Sequence, residues 1–190
     1  MAAPLNIAAV LPHPRYRIAA SRLVNAPADR VWDALLALPM GALPVGFALT
    51  VLRHLPAVLA NTELRVRASD TFLAATPIPV VFAERPRVVI SAGPSQAWKW
   101  RGGATPRVVD AQHFADWADA GWIKVAMEFR LDAVDGGTRL STETRVTPTD
   151  PTTARRFAPY WWAIRLGSTL IRREVIAAVA RRAETAGEPR

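Results

Sequence analysis

The strongest structural signal in the chain is an alternation of apolar and polar residues between positions 122 and 146. In "WIKVAMEFRLDAV", apolar side chains fall on one side and mainly charged ones on the other. A period of two is typical of a β-strand with one buried face. The apolar face carries Ile123, Val125, Met127, Phe129 and Leu131, and the opposite face carries Lys124, Glu128, Arg130 and Asp132.

A second strand pairs back on the first. "DGG" at 135–137 is a turn sequence, and "TRLSTETRV" resumes the alternation. Its inner positions are Leu140, Thr142, Thr144 and Val146. The pattern predicts an antiparallel hairpin with one dry and one wet face, and the charged residues of both strands are expected to pair across the wet face. The apolar face must be buried against another element of the chain.

Further elements surround this hairpin. A strand is predicted at 16–24, and a helix follows from Asn25 or Pro27 to Pro39. An apolar helix is predicted at 45–59, and 108–122 reads as a polar loop between strands. Other strand candidates are 63–69, 87–91 and 96–102, which brings the sheet to about six or seven strands.

The last element is a long helix over about 152–184, capped by Thr149 or Asp150 with Pro151 in its first turn. Trp161 lies on its apolar stripe, while Tyr160 and Trp162 lie at the flanks, and most of the arginines lie elsewhere. Gly167 and Ser168 are expected to kink or split the helix. The stripe consists of Phe157, Trp161, Ile164, Ile171, Val175 and Ala178.

This order of elements resembles the SRPBCC superfamily, which includes START-like lipid-transfer domains, pollen-allergen-like proteins and polyketide cyclases. The resemblance covers nearly the whole chain. At the N-terminus it is carried by "NAPADRVWDALLAL", in which Pro27, Val31 and Trp32 match the entry into the superfamily's first helix. At the C-terminus it is carried by "FRLDAVDGGTRLSTETRV" and the long helix, as in bacterial members of the superfamily.

The resemblance implies an α+β helix-grip fold, in which a curved antiparallel sheet wraps the C-terminal helix, with two short helices after strand 1. It also implies an apolar cavity between sheet and helix. The residues expected to line that cavity are Phe72, Trp98, Trp100, Met127, Phe129, Trp161, Ile164 and Ile171.

Three functions are compatible with such a chain. The first is binding of a small hydrophobic ligand, a lipid or a polyketide-like compound, in the cavity. The second is a cyclase, aromatase or dehydratase, which requires an acid or base in the same cavity. His54, Asp70 and His113 are the candidate residues for that role. The third is a surface interaction protein with a closed core.

Composition narrows the chemistry. With 51% hydrophobic and 21% charged residues, the chain can bury a sizeable core, and we expect one domain over 1–190. The chain has no cysteine, which excludes disulfides and thiolate chemistry. No cofactor or metal motif is present, and His113 with its neighbouring aspartates matches no metal-ligand spacing.

The net charge of +8 does not predict a nucleic-acid partner, because the arginines scatter around the last helix. Membrane-surface contact through Trp162, Arg165, Arg172 and Arg173 is a weaker alternative. No transmembrane or secretion segment is expected, which favours a cytoplasmic protein. Residues 1–14 are expected to be an extended lead-in and 185–190 a frayed tail.

Overall fold

The structure is a computed structural model that describes residues 6–49, 67–99, 106, 108 and 110–186. Its elements in chain order are α1 (Ile7–Val10), β1 (Tyr16–Val24), α2 (Ala28–Leu36), a 3₁₀ turn (Met40–Ala42), α3 (Phe72–Ala75), β2 (Val80–Glu84), β3 (Val88–Ser95), α4 (Ala111–Asp116), β4 (Ile123–Val134), β5 (Gly137–Pro148) and α5 (Pro151–Thr185). Residues 44–49 are also helical, in agreement with the start of the predicted apolar helix.

The strands form one antiparallel sheet in the order β1-β5-β4-β3-β2. The described part of the chain therefore has five strands, fewer than the predicted six or seven. Residues 67–69 and 96–99, the described parts of two strand candidates, are not extended. Strand β2, in contrast, was not predicted.

The β4–β5 hairpin is confirmed. Val134 pairs with Gly137 at its tip, and Met127 pairs with Thr144 at its centre. Gly137 has a φ of +152°, and a Cβ there would lie 2.2 Å from the carbonyl oxygen of Val24. Position 137 therefore requires glycine, because the start of β5 closely approaches the backbone at the end of β1.

The inner face of the sheet carries the main core. Its buried residues pack with α2, the 3₁₀ turn and the second half of α5, and they include Leu35, Leu43, Phe129 and Val179. Burial of this apolar surface supplies the main driving force for the α5-on-sheet arrangement.

The outer face is not wet where α1 and α4 cover it. Ile7 and Val10 pack there with Ile90, Ala126 and Phe114, all of which are buried. The prediction of an extended lead-in over 1–14 is therefore wrong at Ile7–Val10, which forms a helical turn. The prediction of a polar loop over 108–122 is wrong at α4, whose Phe114 is 0% exposed.

The C-terminal helix is confirmed with a single residue added at each end. Asp150 is its N-cap, and its Oδ1 accepts a hydrogen bond of 2.8 Å from the backbone N–H of Thr153. The helix continues without a break through Gly167 and Ser168, so the expected split does not occur. The predicted tail begins at the last helical residue, and 187–190 lie outside the described residues.

Candidate ligand-binding site

Helix α5 is anchored on the inner face of the sheet at two places. Near its N-terminal end, Phe157 and Trp161 pack with Tyr16, Trp98 and Ile123, which we call the aromatic cluster. Tyr16 and Trp161 have ring centroids 4.9 Å apart, and Trp98 meets Phe157 edge-on at 5.7 Å. Toward its C-terminal end, the residues from Val175 onward pack into the main core.

Between these anchors, no residue of α5 from 162 to 174 is fully buried as a whole, although single atoms of the half-buried ones are. Ser168 lies seven residues, about two helical turns, from both Trp161 and Val175, so it occupies the same face of the helix. The two flanking positions are buried, whereas the central one carries a small polar side chain. The inward positions of α5 are therefore less buried at its middle than at the two anchors.

A positively charged side chain lies in this middle region. Arg172 reaches the inner face of β5, where its Nη1 donates to Thr142 Oγ1 at 3.4 Å and its Nη2 donates a short hydrogen bond to Thr144 Oγ1. Its Nε is fully buried and has no hydrogen-bond partner within the described ranges. Together Thr142, Thr144, Ser168 and Arg172 define what we call the mid-helix site.

Burial lowers the pKa of the Arg172 guanidinium to about 10. The group therefore stays charged at neutral pH. None of the described carboxylates forms an ion pair with it. A buried charge without a counter-charge is costly, and such groups concentrate at functional sites.

The carboxylates nearest in sequence or on the same strands are used elsewhere. Glu174 accepts hydrogen bonds from the backbone N–H groups of Val45 and Gly46, at 2.9 and 2.8 Å, and so caps the helical residues 44–49. Glu128 and Glu143 lie at alternate positions that face the outer side of the sheet. The charge of Arg172 is thus uncompensated in the described structure.

A second polar atom without a hydrogen-bond partner among the described residues faces the layer between the sheet and α5. Ser91 is 1% exposed, and its hydroxyl is the other buried side-chain polar atom without a partner among the described residues. Ser91 pairs with Met127, which in turn pairs with Thr144. These three residues form one cross-strand row on the inner face, two strand spacings or about 10 Å wide.

The predicted cavity residues divide between the two anchors. Trp98, Trp161 and Ile164 belong to the aromatic cluster. Phe72, Met127, Phe129 and Ile171 belong to the main core, where Phe72 and Phe129 meet edge-on at 6.0 Å. Met127 pairs with Thr144 and Phe129 with Thr142, so both lie directly beside the mid-helix site. Trp100 lies outside the described residues.

Of the candidate acid–base residues, the structure describes Asp70 and His113. Asp70 accepts a hydrogen bond of 2.7 Å from the backbone N–H of Arg67 and closes a local turn. His113 is exposed on α4, on the outer side of the sheet. His54 lies outside the described residues. Within the described ranges, no three metal-ligating side chains cluster closely enough to hold an ion.

The surface offers two other features. Trp162, Leu166 and Leu170 form an exposed apolar stripe on α5, and the guanidinium of Arg165 lies 4.1 Å from the centre of a Trp162 ring. A groove of 460 Å³ between α2 and the end of α5 is open and lined by charged and small residues. Across the part of the chain that is described, no helix is long and apolar enough to span a bilayer.

Sequence reasoning did not select Arg172 as a site residue, although a signal was present. Arg172 lies eleven residues after Trp161, which is about three helical turns and returns it to the same face. Thr142 and Thr144 were assigned to the inner face, and inward hydroxyls need hydrogen-bond partners. Because Arg172 is charged, it was expected on the surface in spite of both signals.

No protein-family model and no curated protein matches the chain. Solved structures that resemble it include a protein from Mesorhizobium loti, with 13% identity over 87% of this chain and 98% of that chain and a TM-score of 0.40. A protein from Nitrosomonas europaea shows 11% identity over 94% and 99%, with a TM-score of 0.39. The Zhui aromatase/cyclase from a Streptomyces species shows 13% identity over 92% and 99%, with a TM-score of 0.35.

At these identities and TM-scores the likeness assigns no activity. The fold itself rests on the elements described above. A five-stranded antiparallel sheet gripping one long C-terminal helix is the helix-grip arrangement that the resemblance to the SRPBCC superfamily implied.

Proposed function

We propose that the protein binds a small, mainly apolar molecule between the inner face of the sheet and the middle of α5. The observation that supports this most directly is the interruption of burial along α5 between Trp161 and Val175. A helix that only closes a core would bury its inward positions continuously. Here the inward stripe is buried at both ends and opens at Ser168.

The surroundings of the mid-helix site suit such a molecule. Small-molecule sites are mainly apolar, with few polar groups that orient the ligand. The aromatic cluster borders one end, and Met127 and Ile171 border the other. Arg172 with its two threonines supplies the polar part.

Binding is favoured over a cyclase, aromatase or dehydratase activity. Such an enzyme needs a group that moves protons within reach of the substrate. Of the two described candidates, Asp70 is engaged in a local turn and His113 is exposed on α4. Arg172 does not fill that role, because a guanidinium with a pKa of about 10 remains protonated at neutral pH.

A titration with Nile red, a neutral apolar dye, tests the proposal. The wild-type protein should show saturable binding at one site. Ser168→Phe fills the opening and should weaken this binding roughly tenfold. Leu170→Phe is the matched control, because Leu170 is 54% exposed and faces away from the sheet.

Absence of saturable binding by the wild type would overturn the proposal. So would a dye affinity that changes in Leu170→Phe and not in Ser168→Phe, since the dye would then lie on the exposed stripe. A thermal melt of each variant establishes that both are folded.

A further inference from the structure

We propose that the ligand carries one carboxylate and that Arg172 binds it through its Nε edge. This inference rests on the proposed function and adds the chemical class of the ligand. The carboxylate would lie at the mid-helix site, and the apolar body would extend between the aromatic cluster and Met127.

The first support is charge. Arg172 brings a positive charge into the layer between sheet and helix, and no described carboxylate balances it. A fully apolar ligand would leave this charge unpaired. A ligand with one negative charge would neutralise it and remove much of the cost of its burial.

The second support is hydrogen-bond geometry. The Nη atoms of Arg172 are engaged by Thr142 and Thr144, whereas its buried Nε has no acceptor in the part of the chain that the structure describes. A carboxylate fits the edge formed by Nε and the adjacent Nη, where two parallel N–H···O bonds can form.

The same chain uses this edge for its own carboxylates. Arg17 binds Glu143 through Nε at 2.7 Å and Nη2 at 2.9 Å. Arg130 binds Glu128 through Nε and Nη2, both at 3.1 Å. At Arg172 the Nε of the corresponding edge is buried and has no acceptor among the described residues.

The third support is the rigidity of the guanidinium. Two threonine hydroxyls from one strand hold it on the inner face, so little freedom remains to be lost when a ligand binds. The unsatisfied hydroxyl of Ser91, in the same cross-strand row, is a further polar atom that faces the layer.

The experiment compares ligands that differ only in the head group. Straight-chain acids of 8 to 16 carbons, the matched alcohols and the matched alkyl phosphates are titrated into the full chain, and binding is followed by calorimetry. We expect the best acid to bind about 10- to 100-fold more tightly than its alcohol, as for a hydrogen bond to a charged group.

Variants assign this preference to Arg172. Arg172→Met should abolish the preference for the acid and retain the affinity for the alcohol. Arg172→Lys keeps the charge without the two-donor edge, so it should retain only part of the preference. Arg173→Met removes the neighbouring exposed arginine and should leave the preference unchanged.

Equal affinity of the wild type for acid and alcohol would overturn the assignment of a carboxylate while leaving the proposed function intact. A preference for the acid that survives in Arg172→Met would do the same, as would tighter binding of the alkyl phosphate. Failure of every compound, Nile red included, would overturn the proposed function as well.

Discussion

The carboxylate of Glu128 accepts a hydrogen bond of 2.8 Å from the backbone N–H of Ile7, 121 residues earlier in the chain. It also accepts two bonds from Arg130 and is only 6% exposed. This contact fastens α1 to the outer face of the sheet. A strand position that looks solvent-facing in the sequence is therefore part of a second buried layer.

Glu128→Ala should lower the free energy of unfolding by about 2–3 kcal/mol, because it leaves a buried N–H and a half-buried guanidinium without their acceptor. Urea denaturation measures the change. The control is Glu84→Ala, which removes an exposed pair with Arg87 and should cost about 0.5 kcal/mol or less. Equal losses in the two variants would contradict a buried role for Glu128.

The adjacent tryptophans of α5 should differ sharply. Trp161 is 9% exposed and packs on Tyr16, whereas Trp162 is 61% exposed beneath the guanidinium of Arg165. Trp161→Ala should cost about 3 kcal/mol, typical of a buried aromatic residue. Trp162→Ala should cost about 0.5–1 kcal/mol, the value of an exposed cation–π contact. Urea denaturation of both variants distinguishes them, and a reversed order would show that the helix is rotated on the sheet.

Arg172→Met should change the stability of the ligand-free protein by no more than about 1 kcal/mol, because relief of the buried charge is offset by the loss of the hydrogen bonds to Thr142 and Thr144. Methionine removes an uncompensated buried charge while retaining a similar volume. Arg173→Met, at an exposed position, should change stability by about 0.5 kcal/mol or less. A clear loss of stability in Arg172→Met alone would mean that Arg172 serves packing instead of a ligand.

The N-cap of α5 predicts a pH dependence. The hydroxyl of Thr153 and the backbone N–H groups of Gly121 and Thr153 bind the Asp150 carboxylate and hold its pKa below the usual range. A depressed folded-state pKa adds stability above the unfolded pKa of about 4, and this stability is lost as the pH falls toward the folded pKa. Asp150→Asn should therefore melt at a lower temperature than wild type at pH 7.

The difference between wild type and Asp150→Asn should shrink when the melts are repeated below about pH 4, where the unfolded aspartate is protonated. Asp119→Asn, at an exposed position, provides the comparison. A difference that stays constant across this range would show that the cap acts without its charge.

The parts of the fold that could be predicted are those in which apolar residues recur at a regular spacing. The hairpin 122–146 alternates strictly, and α5 repeats its apolar residues every three or four positions, so both were found with nearly correct ends. The cover on the outer face was missed because Ala126 and Glu128 alternate like solvent-facing residues. The run of three apolar residues at 88–90 was the available signal, since burial on both faces removes alternation.

The candidate site was only partly predictable. The inward positions of Trp161, Met127 and Phe129 follow from periodicity. Arg172 does not, because periodicity arguments place charge outside unless a partner is recognised. Its partners, Thr142 and Thr144, are about thirty residues away in sequence, and only the register of the folded sheet brings them to it.

The central claim is that a ligand occupies the space between the sheet and the middle of α5. An NMR titration of the full chain with the tightest-binding acid and its alcohol tests it most directly. We predict saturable shifts of the backbone amides of Thr142, Thr144, Ser168 and Arg172. Shifts confined to the exposed stripe at Trp162, Leu166 and Leu170, or to the groove beside α2, would contradict the claim, as would the absence of any shift.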